Sequence, residues 1–467
     1  MSVRRAINAP SAVGVNSFLT GPIGRVFLSN AVPMAVVMST GGLLNVVDGI
    51  FVGRFVGADA LAAISLAFPI VMVLTALTTL VGGGMASLFT RHLGATNREA
   101  AGAVFAGAHG LVLAVSACLA VGAYAFGDMA LAWLSTGNRD VAGLARDYLA
   151  ILLLGAPIQF ALGLHGDALR SEGKAGVIAL LSVLVNFFNI AANYVAIVVF
   201  DLGIAGSAIG TVAAQALGFG LALMVRGRSP SLLPLRLILS TSWLRHWRQI
   251  LGLGLPLCLS FVGMALVSTI VLRAIGTQSA DPATDVAGYG VVTRILGFAF
   301  LPQLAFALTV QTITGTNVGA GLPDRALAAL KLGMGCAFLW CLGVTLAGVV
   351  AGEAIGALFS DDLAVAQATG RIMTIITLLY AANGPILVLA MHFQAMGHPV
   401  RTAVLTLAKP WLLTPALIAA LSARFGADGI WAAFPCADAV LLALALTIGF
   451  RGDLAPAQNS ATIGETK

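Results

Sequence analysis

Long runs of Leu, Val and Ala dominate the chain from Val26 onward, each closed by a short polar or charged stretch. A membrane-crossing helix needs roughly 20 apolar residues, and twelve segments satisfy this. Six span Val26 to Gly53, Ala60 to Leu88, Ala101 to Phe126, Gly143 to Leu164, Val177 to Phe200 and Ile204 to Val225. Six more span Ile250 to Ile275, Gly288 to Thr312, Ala326 to Val350, Ile372 to Met391, Val404 to Leu421 and Ile430 to Phe450. None alternates polar and apolar residues with the period of two that a barrel strand requires. The pattern predicts an all-α integral membrane protein.

Composition strengthens that reading: of 467 residues 59% are hydrophobic and 9% charged, with a mean hydropathy of +0.98. Little chain remains for a soluble domain. The basic residues are unevenly shared between the two sides. With the first tail inside, 17 Lys and Arg fall on the cytoplasmic side, 5 on the far side, and Arg146, Arg294 and Lys409 within spans. The positive-inside rule then puts both termini in the cytoplasm of a cell (inner) membrane. It also accounts for the net charge of +6 without a nucleic-acid partner. The start, "MSVRRAINAPSAVGVNSFLTGPIGR", has no compact apolar block of the signal-peptide kind and is expected to be a short tail. Cys118, Cys258, Cys336, Cys341 and Cys436 lie in apolar spans without ligand spacing, as packing residues do.

The chain repeats itself. Pro33 and Pro256 interrupt the first span of each half 223 residues apart, and Gly203/Gly426 and Gly206/Gly429 share that offset. "EGK" at Glu172 to Lys174 answers "MGH" at Met396 to His398, and "LGATNREA" answers "VGAGLPDRA". The longest polar connection, Arg226 to Gln249, divides the halves. The expected organisation is a tail (1–25), a first lobe (26–225), a linker (226–249), a second lobe (250–450) and a second tail (451–467). Six spans per half make these parallel repeats enclosing a midplane cavity, the scaffold of a transporter.

Polar groups inside the spans are the candidates for function. Asp48 sits in the apolar first span, where an ionised acid costs roughly 2.5–3.5 kcal/mol at mid-helix. From the residues alone it is either an interfacial acid pairing with Arg54 or a group that exchanges a proton or binds a cation. Asn186, Asn189 and Asn193 recur at intervals of three and four, which places them on one face of the fifth span. Asn383 and Lys409 are polar groups in the tenth and eleventh spans, and Lys409 either snorkels to the interface or faces the cavity. Asp167 lies three residues before Arg170, with an ion pair and a coupling role both open. Pro33 and the Gly41-Gly42 pair weaken the first span where it is expected to bend. With no GxxxxGK[ST] loop and no soluble segment long enough for a nucleotide-binding domain, ATP hydrolysis is not expected, and His109, His165 and His392 lack metal spacing. Clustered nucleophiles or acids that would argue for a membrane enzyme are absent from the sequence.

"NVVDGIFVGRFVGADALAAISLAFPI" and "TTLVGGGMASLFTRHLGATNREAA" resemble the first two spans of the multidrug and toxic compound extrusion (MATE) transporters. "ALRSEGKAG" is similar to the end of the fourth span of that family, and "YGVVTRILGFAFLPQLAFALTVQTITGTNVGAG" to its eighth span and the following loop. The resemblance implies two six-helix lobes in a V and a cation-coupled antiporter of amphipathic or cationic organic compounds. It implies no cofactor, and a monomer whose partners are small organic substrates, a coupling cation and the bilayer. Lipid-precursor and polysaccharide flippases of the same superfamily are the alternative. By resemblance Asp48 is the leading coupling residue, with Asn189, Asn193, Thr211 and Asp167 around the same pocket and Asn186, Asn383 and Lys409 lining the substrate cavity. The family's acids of the seventh and tenth spans are missing here, Asn383 standing at the tenth-span position. Coupling is therefore expected in the first lobe, with a proton favoured over sodium.

Overall fold

The computed structural model describes residues 17–134 and 139–451, and among them every regular element is helical. The first lobe comprises spans Ile23–Phe55, Ala58–Gly94, Arg98–Leu134, Arg139–Ser171, Ala175–Val199 and Gly203–Arg228. The second comprises Trp247–Gln278, Pro282–Gly319, Pro323–Ala357, the bent pair Leu363–Ile376 and Tyr380–Met396, Pro399–Phe425 and Ala427–Arg451. Counting the bent pair as one crossing gives the expected twelve. Most helices overrun the apolar segments by several residues at each end, because helical hydrogen bonding continues where polar side chains are already solvated. Large apolar side chains such as Leu154 (80% exposed) and Val350 (83%) cover the outer faces. In water such a surface would aggregate; it is the surface that lipid covers.

The repeat is written in the turns. Gly173 and Gly397 both adopt left-handed backbone (φ 79° and 85°) after the fourth and tenth spans, and Gly203 and Gly426 (φ 55° and 61°) open the sixth and twelfth. Only glycine enters that region without steric cost, so the spacing seen in the sequence is a spacing of obligatory turns. A second sign is the crossing of the second and eighth spans. Gly94 lies against the Thr316 carbonyl and Gly319 against the Arg91 carbonyl, a reciprocal pair of backbone contacts that marks the axis relating the lobes.

The first span is one continuous helix through Pro33, Gly41 and Gly42. Helix runs through that point without a break, and Gly42 packs against Phe298 and Leu301 of the eighth span. The break occurs in the tenth span instead, at 54°, around a tight turn at Tyr380–Ala382. "NGP" follows, and Pro385 can supply no N–H while disfavouring helix at the residue before it. The fifth and eleventh spans each carry a widened π-helical stretch, Val195–Val199 and Ala408–Leu413. Such local widening aims side chains differently from a regular helix and recurs at functional sites.

Two boundaries differ from the sequence expectation. The first tail ends earlier than residue 25: Phe18 is 1% exposed within the main core cluster, and Arg325 donates to the carbonyls of Phe18 and Gly21. The linker is not a loose tether. Arg226, fully buried, donates through both Nη atoms to Glu172 (3.1 and 2.9 Å), and Glu172 also accepts from the backbone N–H of Leu233 at 2.7 Å. Arg98 donates to the Leu232 carbonyl at 2.7 Å, so residues near 232 are clamped onto the first lobe. Leaving one member of a buried ion pair unpartnered costs about 3–5 kcal/mol. Glu172→Ala is accordingly expected to lower the thermal unfolding temperature in detergent clearly, whereas Arg228→Ala, which bonds only Met224 at the exposed end of the sixth span, leaves it nearly unchanged.

Candidate functional site

The lobes meet along the second and seventh spans and along the first and eighth. In the second span, "VGGGM" provides the close approach: a side chain on Gly84 would strike the Ile250 carbonyl, and one on Gly254 the carbonyl of Leu80. This glycine run is therefore a close-packing element of the lobe junction. These contacts lie in the halves of the helices nearest the termini and the linker, so the lobes are sealed at that end.

The seal is polar as well as close-packed. "LTVQTITGTN" of the eighth span is buried, Gln311, Thr312, Thr314, Thr316 and Asn317 being no more than 1% exposed. Arg170 of the first lobe reaches across and donates through Nη1 to the Leu308 carbonyl (2.9 Å) and to Thr312 Oγ1 (2.6 Å). Its other Nη holds Asp167 at 3.0 Å. Ser87 donates to the Gln394 carbonyl at 2.6 Å, Gln311 Nε2 to Gln394 Oε1 at 2.6 Å, and Gln394 Nε2 to the Leu253 carbonyl. Asp167 thus belongs to the lobe seal. It sits four residues from the end of its helix, whereas Asp48 lies towards the opposite end of the first span, so the structure does not bring the two acids together.

The other predicted groups of the first lobe do meet. Asn193 Nδ2 donates to Asp48 Oδ1 at 2.8 Å and to Asn189 Oδ1 at 3.3 Å, and Asn189 Nδ2 donates to Thr211 Oγ1 at 3.2 Å. Four residues from three spans form one chain of hydrogen bonds ending on the carboxylate. Asp48 pairs with this chain and not with Arg54. Asn189 and Asn193 are 1% exposed, Asp48 half-buried. Asn193 Oδ1 is buried and lacks a hydrogen-bond partner; it points at Gly210, where a side chain would fill its space. Asn186, on the same helix face, has a buried Nδ2 without a partner.

In the second lobe Asn383 and Lys409, both named from the sequence, meet an acid that the sequence reading missed, Asp438. Lys409 Nζ donates to Asn383 Oδ1 at 3.1 Å and to Asp438 Oδ1, and Asn383 Nδ2 donates to Asp438 Oδ2 at 3.2 Å. The family's acids of the seventh and tenth spans are missing here, as read from the sequence, but the twelfth span supplies an intramembrane acid of its own. Asp438 in "FPCADAV" was available as a signal, being an acid in an apolar span that also contains Pro435. Lys409 does not snorkel, because a buried carboxylate holds its ammonium inside the lobe. His109 and His165 also meet, Nε2 to Nε2 at 3.1 Å, although they are far apart in sequence. His109 Nδ1 bonds the Phe105 carbonyl at 2.7 Å, and the two rings pack edge-on among Phe105, Trp243 and Phe219, as core imidazoles. No group of three or more metal-ligating side chains exists among the described residues.

Two six-helix lobes, a polar seal at one end and buried ionisable groups in each lobe define the class: a multi-span helical membrane transporter. Comparison with known proteins gives the family. The MatE family model matches the chain twice, over residues 33–195 and 256–417, repeating the 223-residue offset read from the sequence. The chain belongs to the MATE family of transporters, which are transport proteins and not enzymes. Among its relatives is a FAD transporter of Shewanella oneidensis, 23% identical over 91% of this chain and 94% of the relative. Another is the probable multidrug resistance protein YoeA of Bacillus subtilis, 26% identical over 88% of this chain and 89% of its own length. The fold is that of a solved MATE transporter in an outward-facing conformation, with a TM-score of 0.84 at 23% identity over 93% of this chain and 96% of that one. A transporter of the MOP superfamily from Pyrococcus furiosus, whose structure is described as having a binding pocket of reversed polarity, superposes with a TM-score of 0.83 at 24% identity over 93% and 96% of the two chains.

Arg170 is a residue whose loss the seal tolerates poorly, because its guanidinium bonds the Leu308 carbonyl and Thr312 across the lobe junction. Arg170→Met is expected to raise backbone hydrogen exchange severalfold in residues 80–91 and 308–317. Exchange within residues 101–112, inside the first lobe, stays as in the parent.

Proposed function

We propose that this protein is a proton-coupled antiporter that exports amphipathic or cationic organic compounds by alternating access, working as a monomer with both termini in the cytoplasm. With that orientation, taken from the distribution of Lys and Arg, the sealed end is the cytoplasmic one and the lobes diverge outward. The observation that carries the reading is the hydrogen-bond chain ending on Asp48. As drawn, it serves an ionised carboxylate: Asn193 donates, and nothing donates back. A proton on Asp48 turns one oxygen into a donor that needs an acceptor. The unpartnered Oδ1 of Asn193 is within the same amide, one rotation away.

Protonation would therefore rewire the chain, release Asn189 and Thr211 from their present bonds, and remove a charge from the first lobe. The first span can then bend at Pro33 and Gly41-Gly42, separating it from Phe298 and Leu301 of the eighth. Substrate leaves outward as the cavity narrows, and deprotonation towards the cytoplasm resets the cycle. A proton suits the lone carboxylate of this cluster better than sodium, which wants several oxygen ligands, while Asn193 presents an N–H to the acid.

Two variants test the scheme in proteoliposomes with an imposed pH gradient and a cationic dye. Asp48→Asn should abolish gradient-driven dye export while the protein still inserts and purifies as before; unaltered export would remove Asp48 from the mechanism. Asn193→Ala, which removes one charge-assisted hydrogen bond, should slow export roughly tenfold without abolishing it. Export that follows a sodium gradient in place of the pH gradient would reassign the coupling ion. Transport of lipid-linked sugars without transport of dyes would favour a flippase.

A further inference from the structure

The second lobe contains an ion pair that the coupling scheme above does not use. Lys409, Asp438 and Asn383 come from the eleventh, twelfth and tenth spans and lie near the middle of each, at the depth where a transporter holds its cargo. Burying charges there is costly, and a pair kept only for packing could be replaced by apolar side chains with little loss of stability. The two partners are also unequally buried. Asp438 keeps 2% of its side-chain surface, Lys409 22%. Lys409 is the more exposed member of the pair.

Donor counting sharpens this. A Lys ammonium has three donors, and here one goes to Asp438 and one to Asn383. Each oxygen of Asp438 meanwhile already accepts from the protein, one from Lys409 and the other from Asn383. The remaining Lys409 donor has no acceptor among the described residues. The flanking Ala408 and Leu413 pack into the apolar cluster that also holds Met34 and Met38 of the first span and Phe261, Phe300 and Phe306. A positively charged donor thus stands beside the apolar wall shared by the two lobes, fixed in place by a buried counter-ion.

We propose that Lys409 is an oxyanion-binding group of the substrate site: the second lobe takes the carboxylate or phosphate of an amphipathic substrate on the donor that Asp438 and Asn383 leave free. This rests on the exporter reading and narrows its substrate class to compounds that carry an oxyanion beside their apolar or cationic part. The lobes then divide the work, with the proton handled by Asp48 in the first and the substrate's negative group received in the second. Asp438 sets the strength of the interaction by neutralising part of the lysine's charge. Phosphate recognition would fit the relative that is named a FAD transporter, since FAD carries two phosphate groups.

The test uses matched probes that differ only in the oxyanion, bound to the purified full chain and followed by fluorescence at equilibrium. One pair is a rhodamine with a free carboxylate and its ethyl ester; the other is riboflavin 5′-phosphate and riboflavin. The parent protein should prefer the oxyanion member of at least one pair about tenfold, the worth of one charge-assisted hydrogen bond. Whichever pair shows the preference identifies carboxylate or phosphate as the group recognised. Lys409→Met should erase that preference, Lys409→Arg should retain most of it, and Asp438→Asn should widen it by freeing the ammonium. Because Lys409→Met leaves Asp438 unpaired, Lys409→Met combined with Asp438→Asn supplies a charge-balanced control that should also show no preference. Absence of preference in both pairs for the parent, or a preference that survives the double substitution, would overturn the proposal. A preference that shrinks in Asp438→Asn would refute the counter-ion role and the proposal with it. No gradient is imposed, so a failure of proton coupling at Asp48 leaves this measurement readable.

Discussion

A polar group that this protein turns towards lipid goes unsatisfied unless another part of the protein answers it, because lipid offers neither donors nor acceptors. Most of the architecture follows from that constraint. Backbone groups are satisfied inside helices, so the chain is helical. Some side-chain groups are satisfied inside their own helix, by bonding back one turn to the backbone, as Thr40, Thr75 and Thr78 do, or by pairing with a side chain three or four residues away, as Arg170 does with Asp167. The remainder require another span. Arg170, Gln311 and Gln394 satisfy one another across the lobes, Asp48 is satisfied by Asn193, and Lys409 by Asp438 and Asn383. The polar residues therefore do not lie scattered through the molecule; they gather at the seal and at one cluster per lobe.

This gathering sets what can move. The seal joins the two bundles through glycine contacts, apolar packing and a limited set of hydrogen bonds, whereas towards the opposite end each bundle has a core of its own, and the first lobe is held also by the Arg226–Glu172 clamp. A change of conformation that keeps each bundle intact breaks only the seal. The division of strength is what rigid-body rocking about a central site requires. It also explains why the linker needs to be packed: clamped onto the first lobe near residue 232, it lets the second lobe turn without dragging a loose tether through the interface.

The two lobes share a backbone plan and differ in their polar chemistry. Left-handed glycines recur at matching turns and the second and eighth spans cross reciprocally, yet Asp48, Asn189 and Thr211 have no polar counterparts in the second lobe at the repeat offset. Lys409 corresponds to Asn186 and introduces a charge where the first lobe has an amide. Duplication preserved what the turns and close helix crossings demand sterically. Nothing steric constrains which polar group lines a hydrated cavity, and there the halves diverged.

The sequence by itself determined the helical membrane class, the twelve crossings, the repeat, and the grouping of Asn189 and Asn193 on one face. These are local or periodic properties: apolar length, the helical repeat of 3.6 residues, and glycine where the backbone must turn left-handed. Only the tertiary structure decided that Asn193 rather than Arg54 is the partner of Asp48. It likewise assigned Asp167 to Arg170 and the lobe seal, and disclosed Asp438 beside Lys409. The helix break falls in the tenth span and not in the first. Partners in different spans are separated by tens to hundreds of residues, and the helix rotations that aim them at one another are set by the packing of all the neighbouring spans together. No periodicity in a single segment encodes that rotation.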